Sequence, residues 1–251
     1  MRRRATLAGV LLLATACRGT LSPLSNKLKV GEEAYIVFSA PGEDGLGDLF
    51  ASAAQGGAIH QVTFSRVDER LPALSPDGAM LAFTRSRLPG DTGDVHVVVM
   101  NLLNGSERRI AGDLGGAPTA LAWSDDGATL YVRTAAGIRT VPAPPAAGAW
   151  QASPMGDAVF AVRVGQPVFG EVTACGDSAP GGALCIHLPS DSLVPLASRG
   201  EAPARWAGDS VAYRDGPDWV VRPLAGGKAR VLRWTRPITP PAALTVFPGP
   251  Q

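Results

Sequence analysis

Few residues of this chain are equipped for chemistry. Its 251 residues include three histidines, three cysteines and three tyrosines. His60, His96 and His187 each stand inside a separate strand-like run. Gly176-Asp177-Ser178 has the residue types of a nucleophilic serine turn, but such a serine needs a neighbouring base and an orienting group. The chain has no Gly-x-Ser-x-Gly and no histidine in a triad context, so a non-catalytic protein is expected. Cys175 and Cys185 flank the loop Gly176–Gly182. A disulfide across that hairpin would stabilise its surroundings by about 2–3 kcal/mol. Zinc is the alternative, although two thiolates without an adjacent histidine are too few ligands. No D-x-D-x-D-G loop is present, so neither calcium nor any other metal or cofactor is expected.

The elements that carry these residues are short strands. Gly (30) and Pro (22) punctuate the whole length, 45% of residues are apolar, and no stretch of helical period stands out. The clearest unit runs from Pro72 to Arg109. Ser75-Pro76-Asp77-Gly78 has the residues of a type I turn, with Pro presetting φ and Gly accepting the left-handed conformation that follows. Met80–Phe83 and Val95–Met100 are β-prone runs, and Asn104-Gly105 is a hairpin dipeptide. The unit therefore reads as four short antiparallel strands.

The unit repeats. Its second strand, Ala79–Thr84, aligns with Ala34–Ser39, Ala128–Arg133, Ala158–Arg163 and Ser210–Arg214. Versions of the turn precede several of these, as Ser124-Asp125-Asp126-Gly127, Ser153–Gly156 and Gly208-Asp209. The spacings of about 45, 49, 29 and 52 residues suit four-stranded propeller blades except at the third interval. That interval predicts a blade that has lost strand length around 135–149. The turn aspartates, Asp77, Asp125 and Asp126, are read as turn formers bonding local amides. Trp123 and Trp206 occupy the same first-strand position. Together with Trp150, Trp219 and Trp234 they are expected to pack between blades, an exposed sugar-binding platform being the alternative.

The Ser-Pro-Asp-Gly-x-x-Leu-Ala-Phe core, its Gly93-Asp94 loop and the Gly105-Ser-Glu-Arg-Arg109 turn resemble the TolB-type, WD-like β-propeller repeat. The resemblance implies an all-β propeller over 34–247, with five four-stranded blades as the simplest count and a degenerate sixth within 143–200 as the alternative. The first unit starts at its second strand, and Pro241–Phe247 matches the first strand Pro118–Trp123. The C-terminal strand is therefore expected to complete the first blade, closing the ring and removing two exposed edges. Residues 248–251 remain as a tail. In a four-stranded blade the loops after the second and fourth strands share one end of the ring. The longer, more charged ones here place Glu43, Asp44, Arg66, Asp68, Arg70, Arg85 and Arg87 at that end, the candidate binding face.

The first residues read as an address. Arg2-Arg3-Arg4 precedes an apolar run too short to span a bilayer as a mature helix. Leu13-Ala-Thr-Ala-Cys17 resembles the bacterial lipobox, with Ala14 standing where that pattern prefers Leu. The expectation is a signal peptide at 1–16, a lipidated Cys17, and a tether to residue 33, on a periplasm-facing lipoprotein of the outer membrane. An ordinary secretory signal and a soluble periplasmic or secreted protein are the alternative. Without the three leader arginines the chain carries 20 basic against 22 acidic residues, which gives no electrostatic case for nucleic acid. The membrane is expected only through the lipid. Resemblance to TolB implies protein–protein contact in the envelope, here as a monomer with an unidentified envelope protein. The alternatives are a hydrolase or lyase, or a carbohydrate-binding propeller.

Overall fold

One small turn is repeated almost atom for atom. At Ser75–Gly78 the Gly78 amide donates to the Ser75 carbonyl over 2.9 Å. Ser75 Oγ accepts from the Met80 amide at 2.9 Å and Asp77 Oδ1 from the Ala79 amide at 3.0 Å. Ser124–Gly127 repeats the arrangement through the amides of Gly127, Thr129 and Ala128. Gly78 and Gly127 lie at φ 71° and 70°, where any side chain would be strained. The repeat also sorts the two aspartates. Asp126 does the bonding of Asp77, whereas Asp125 takes the place of Pro76. The Ser124 hydroxyl and then the Ala128 amide hold the Asp126 carboxyl below its usual pKa.

The computed structural model describes residues 22–91, 93–144, 150–153, 162–163, 169–176, 182–187, 190–206, 210–224, 226–234 and 244–250. They form five sheets arranged as blades. The first contains β1 (Tyr35–Pro41), β2 (Gly47–Ala53) and β4 (His60–Gln61), with a two-residue β3 (Gly56–Gly57) between the last two. The second is β5 (Asp68–Leu74), β6 (Met80–Ser86), β7 (His96–Asn101) and β8 (Glu107–Arg109). The third is β9 (Pro118–Trp123), β10 (Thr129–Thr134), β11 (Gly137–Pro142) and β12 (Gln151–Ala152). The fourth is β13 (Val162–Arg163), β14 (Phe169–Ala174), β15 (Leu184–His187) and β16 (Leu193–Ala197). The fifth is β17 (Glu201–Trp206), β18 (Ser210–Asp215), β19 (Asp218–Pro223) and β20 (Arg230–Trp234), and the chain ends on β21 (Leu244–Phe247).

The ring closes twice. β21 pairs antiparallel with β1, from Tyr35↔Phe247 to Phe38↔Leu244, so the last strand is the missing strand of the first blade. The second closure has no counterpart in the sequence pattern. β3 leaves the first blade and pairs in parallel with β20 of the fifth, through Arg233↔Gly56 and Trp234↔Gly57. Gly56 lies at φ 95°, and a Cβ there would stand 2.2 Å from the Arg233 carbonyl oxygen. Only glycine lets these two backbones meet.

The fourth blade corrects the sequence alignment. Residues 158–163 align in sequence with second strands, but Val162–Arg163 is the first strand of its sheet and β14 is the second. Counted between true second strands, β10 to β14 spans 40 residues and β14 to β18 spans 41. The short interval was an offset of one strand, caused by a turn-like Ser153–Gly156 that lies between the third and fourth blades. Residues 154–160 are outside the described set, and no sixth sheet occurs among the described residues.

Alternation along each strand sends side chains to both neighbouring blades. Tyr35, Val37, Leu49 and Ala51 pack with Leu81, Phe83, Val98 and Met100 between blades one and two. Ala82, Val97 and Val99 meet Leu130, Val132 and Trp150 between two and three. Leu184 and Ile186 meet Val211 and Tyr213 between four and five, and Phe38 and Phe50 meet Trp219 and Leu232 between five and one. Cys175 and Cys185 form a disulfide joining the ends of the β14–β15 hairpin. Within the stretch expected to be a tether, residues from Ser22 onward are packed. Leu24 is fully buried, and Leu28 and Val30 cover the same layer between blades one and two. The expected signal peptide at 1–16 and Cys17 lie outside the described residues.

Candidate binding site at the junction of the first two blades

Strand register assembles the site. β5 begins and β6 ends at the same edge of the second blade, so Asp68 stands opposite Ser86 and Glu69 opposite Arg85. Glu69 is fully buried. Arg85 answers it with Nε and Nη2, which both donate to Glu69 Oε1 at 2.8 and 2.6 Å. Nη1 and Nη2 also donate to Glu107 at 2.8 and 3.1 Å, and the guanidinium lies 5.3 Å from the Phe83 ring centre. Burial works against the charge on Arg85. The bonds from Glu107 and Glu69 outweigh it and hold the pKa above its ordinary value. A fork locked between two carboxylates is a fixed charge with little rotamer freedom left to lose on binding.

The first blade completes the arrangement. Asp68 is 2% exposed; it accepts the Gly47 amide at 2.9 Å and the Arg70 Nε at 2.5 Å. At Gly47 a Cβ would stand 2.7 Å from the Glu69 carbonyl oxygen, so the β1–β2 loop can seat itself against β5. Asp48, next in sequence, is 4% exposed. Its Oδ2 accepts from Gln61 Nε2 at 2.9 Å, while Oδ1 has no hydrogen-bond partner. Burial first, then the charges of Glu69 and Asp44, push the Asp48 carboxyl up to about 6. A groove of about 610 Å³ runs beside this network, lined by Pro23, Phe64, Arg66, Arg85, Met100 and Glu107 among others.

The seven residues of the expected face thus divide. Asp68 and Arg85 are structural centres of an ion network, and Arg70 is half exposed on Asp68. Arg66 is exposed and lines the groove. Glu43, Asp44 and Arg87 are exposed on the β1–β2 and β6–β7 loops, and Asp44 Oδ1 accepts the Leu46 amide at 3.0 Å. Sequence reasoning missed Asp48, Glu69, Glu107 and Phe64. Asp48 belongs to a Gly-Asp pair like Gly93-Asp94 of the repeat, and Glu69 is one charge within Val67-Asp-Glu-Arg70. Neither carries a local mark of burial.

Ser178 lies outside the described residues, and His60, His96 and His187 stand in three different blades. Burial, and next the charge of Lys27, lowers the His60 pKa, and burial with Arg109 and Arg85 lowers that of His96. His187 Nε2 lies 3.1 Å from Asp191 Oδ1 on an exposed loop. Trp150 and Trp219 are buried and Trp234 is half-buried, each in a layer between blades. Trp123 Nε1 donates to the Ala73 carbonyl of the neighbouring blade at 2.9 Å. These four rings pack between blades, and the side chain of Trp206 lies outside the described residues.

No protein-family model and no curated protein matches the chain. Solved structures do. TolB of Acinetobacter baumannii is 16% identical over 79% of this chain and 52% of its own, with a TM-score of 0.49. A TolB-type protein of Agrobacterium tumefaciens is 12% identical over 80% and 70%, with a TM-score of 0.40. A chain of a nidogen–laminin complex is 11% identical over 85% and 98%, with a TM-score of 0.50. The chain spans about half the length of the Acinetobacter protein. At these identities a likeness is one of fold alone, and it is the chain's own sheet order that gives the five-bladed β-propeller.

Proposed function

We propose that this chain is a non-catalytic binding module of the bacterial envelope, exported and held there by a lipid on Cys17. It engages a protein partner through the loops that surround the Glu69–Arg85–Glu107 network. That network is the observation behind the reading, because it presents charge already fixed in place. Around it stand exposed Glu43, Asp44, Arg70 and Arg87. Leu88, 58% exposed on the β6–β7 loop, adds apolar area that a partner could bury.

The test is capture from native envelope with wild type and the double variant Asp44→Arg, Arg87→Glu. Both positions are exposed, so the fold is expected to survive. A stoichiometric protein should come down with wild type and be lost with the variant. Capture of the same protein at the same yield by both would move the contact elsewhere.

A further inference from the structure

The N-terminal segment is packed against the β7–β8 flank of the propeller. Ser22 Oγ donates to the Leu102 carbonyl at 2.7 Å, and Leu24 is wholly buried two residues later. The chain is therefore pinned to the β7–β8 hairpin at residue 22. Five peptide units separate Ser22 from Cys17, a reach of at most ~18 Å even at full extension. The headgroup layer takes up roughly 5–7 Å of that. If Cys17 carries a lipid, this hairpin cannot stand far from the membrane surface.

The hairpin is built to meet that surface. Leu102 is fully buried, while its neighbour Leu103 is 58% exposed. Leu103 is held outward by a rigid turn. Its amide donates to Asn101 Oδ1 at 2.9 Å, Gly105 donates to the Asn101 carbonyl at 2.7 Å, and Ser106 donates to Asn104 Oδ1 at 2.9 Å.

We infer that the Leu102–Ser106 hairpin lies against the lipid surface with Leu103 at headgroup level, so that the charged loops point away from the bilayer. The inference rests on the lipid-anchor reading of Cys17. Its second half follows from topology. The β6–β7 loop and the β7–β8 hairpin leave opposite ends of β7, and a strand of six residues puts about 20 Å between them. The bilayer is thus a second partner of this protein, on the side opposite the protein-binding loops.

The experiment places p-benzoylphenylalanine at position 103 or position 44 of the full chain and irradiates intact membranes. Leu103 and Asp44 are both exposed, so neither replacement threatens the fold. Position 103 should give several-fold more phospholipid adduct than position 44. Equal adducts, more at 44, or a protein adduct at 103 would each overturn the orientation. The mass of the N-terminal peptide is read in the same samples. An unmodified Cys17 would sink the anchor reading and this inference with it, whereas a lipidated Cys17 without the adduct bias would sink the orientation alone.

Discussion

The first blade meets its two neighbours by different means. Towards the fifth blade it presents Ile36 and Phe38, towards the second Tyr35 and Val37, as strand alternation requires. The seam with the fifth is aromatic. Phe38 lies 5.9 Å from Phe50 and 6.3 Å from Trp234, and Trp219 meets Trp234 edge-on at 6.5 Å. The junction with the second is apolar for most of its depth but ends in buried Asp48, Asp68 and Glu69. The difference follows from chain connectivity. Blades one and five are distant in sequence, so closing the ring costs loop entropy that dense apolar burial must offset. Blades one and two are consecutive, and that junction can bear buried charge, which seldom adds net stability. Aromatic packing is concentrated at one flank, and buried charge at the other.

The sharpest way to break this contrast is Trp219→Ala. The side chain is 1% exposed at the centre of the closing seam. Its loss should cost about 3–5 kcal/mol, read as a lower midpoint in urea. A loss below about 0.5 kcal/mol, the range of an ordinary surface change, would mean that packing does not hold the seam. Gly56→Ala probes the outer clasp of the same seam by a different route. It forces a Cβ against the Arg233 carbonyl oxygen at a positive φ, and overpacking of this kind costs about 1–3 kcal/mol. Hydrogen exchange should then speed up at Trp234 and its neighbours while the β21–β1 pairing stays protected. Loss of protection at both clasps would show that they open as one unit.

How much of this was legible depends on whether the signal was local. The Ser-x-Asp-Gly turn, the strands around it and the closing match of residues 241–247 all lie in short, repeated patterns, and the five-bladed ring follows from them. The disulfide pairing rested on two cysteines flanking one hairpin. The offset in the fourth blade arose where a turn-like Ser153-Pro-Met-Gly156 stands in front of the wrong strand. β3 went unseen because two glycines in parallel pairing carry no hydrophobic alternation. In the site, Arg85 was flagged by its charge on a loop edge. Its partner Glu69 was invisible, since the Glu69↔Arg85 pairing is a property of register between strands.

Asp48 gives the finest test of the charged junction. In the folded protein its carboxyl titrates near 6, against an ordinary value of 3.8, because burial and then Glu69 and Asp44 disfavour its charge. The folded state therefore keeps a proton over roughly pH 4–6 that the unfolded chain has already released. Stability must fall as pH rises through that window, and the full deficit is present above it. Other carboxylates titrate in the same range, so the informative quantity is the difference between wild type and Asp48→Asn. The variant cannot ionise. It should lack this component of the pH dependence and exceed wild type at pH 8 by roughly 1–2 kcal/mol, less than the full conversion of such a shift. Parallel stability curves from pH 4 to 8 would mean that Asp48 does not hold a proton there. The unpartnered Oδ1 would then be a compensated charge, and the two flanks of the first blade would differ less than their side chains suggest.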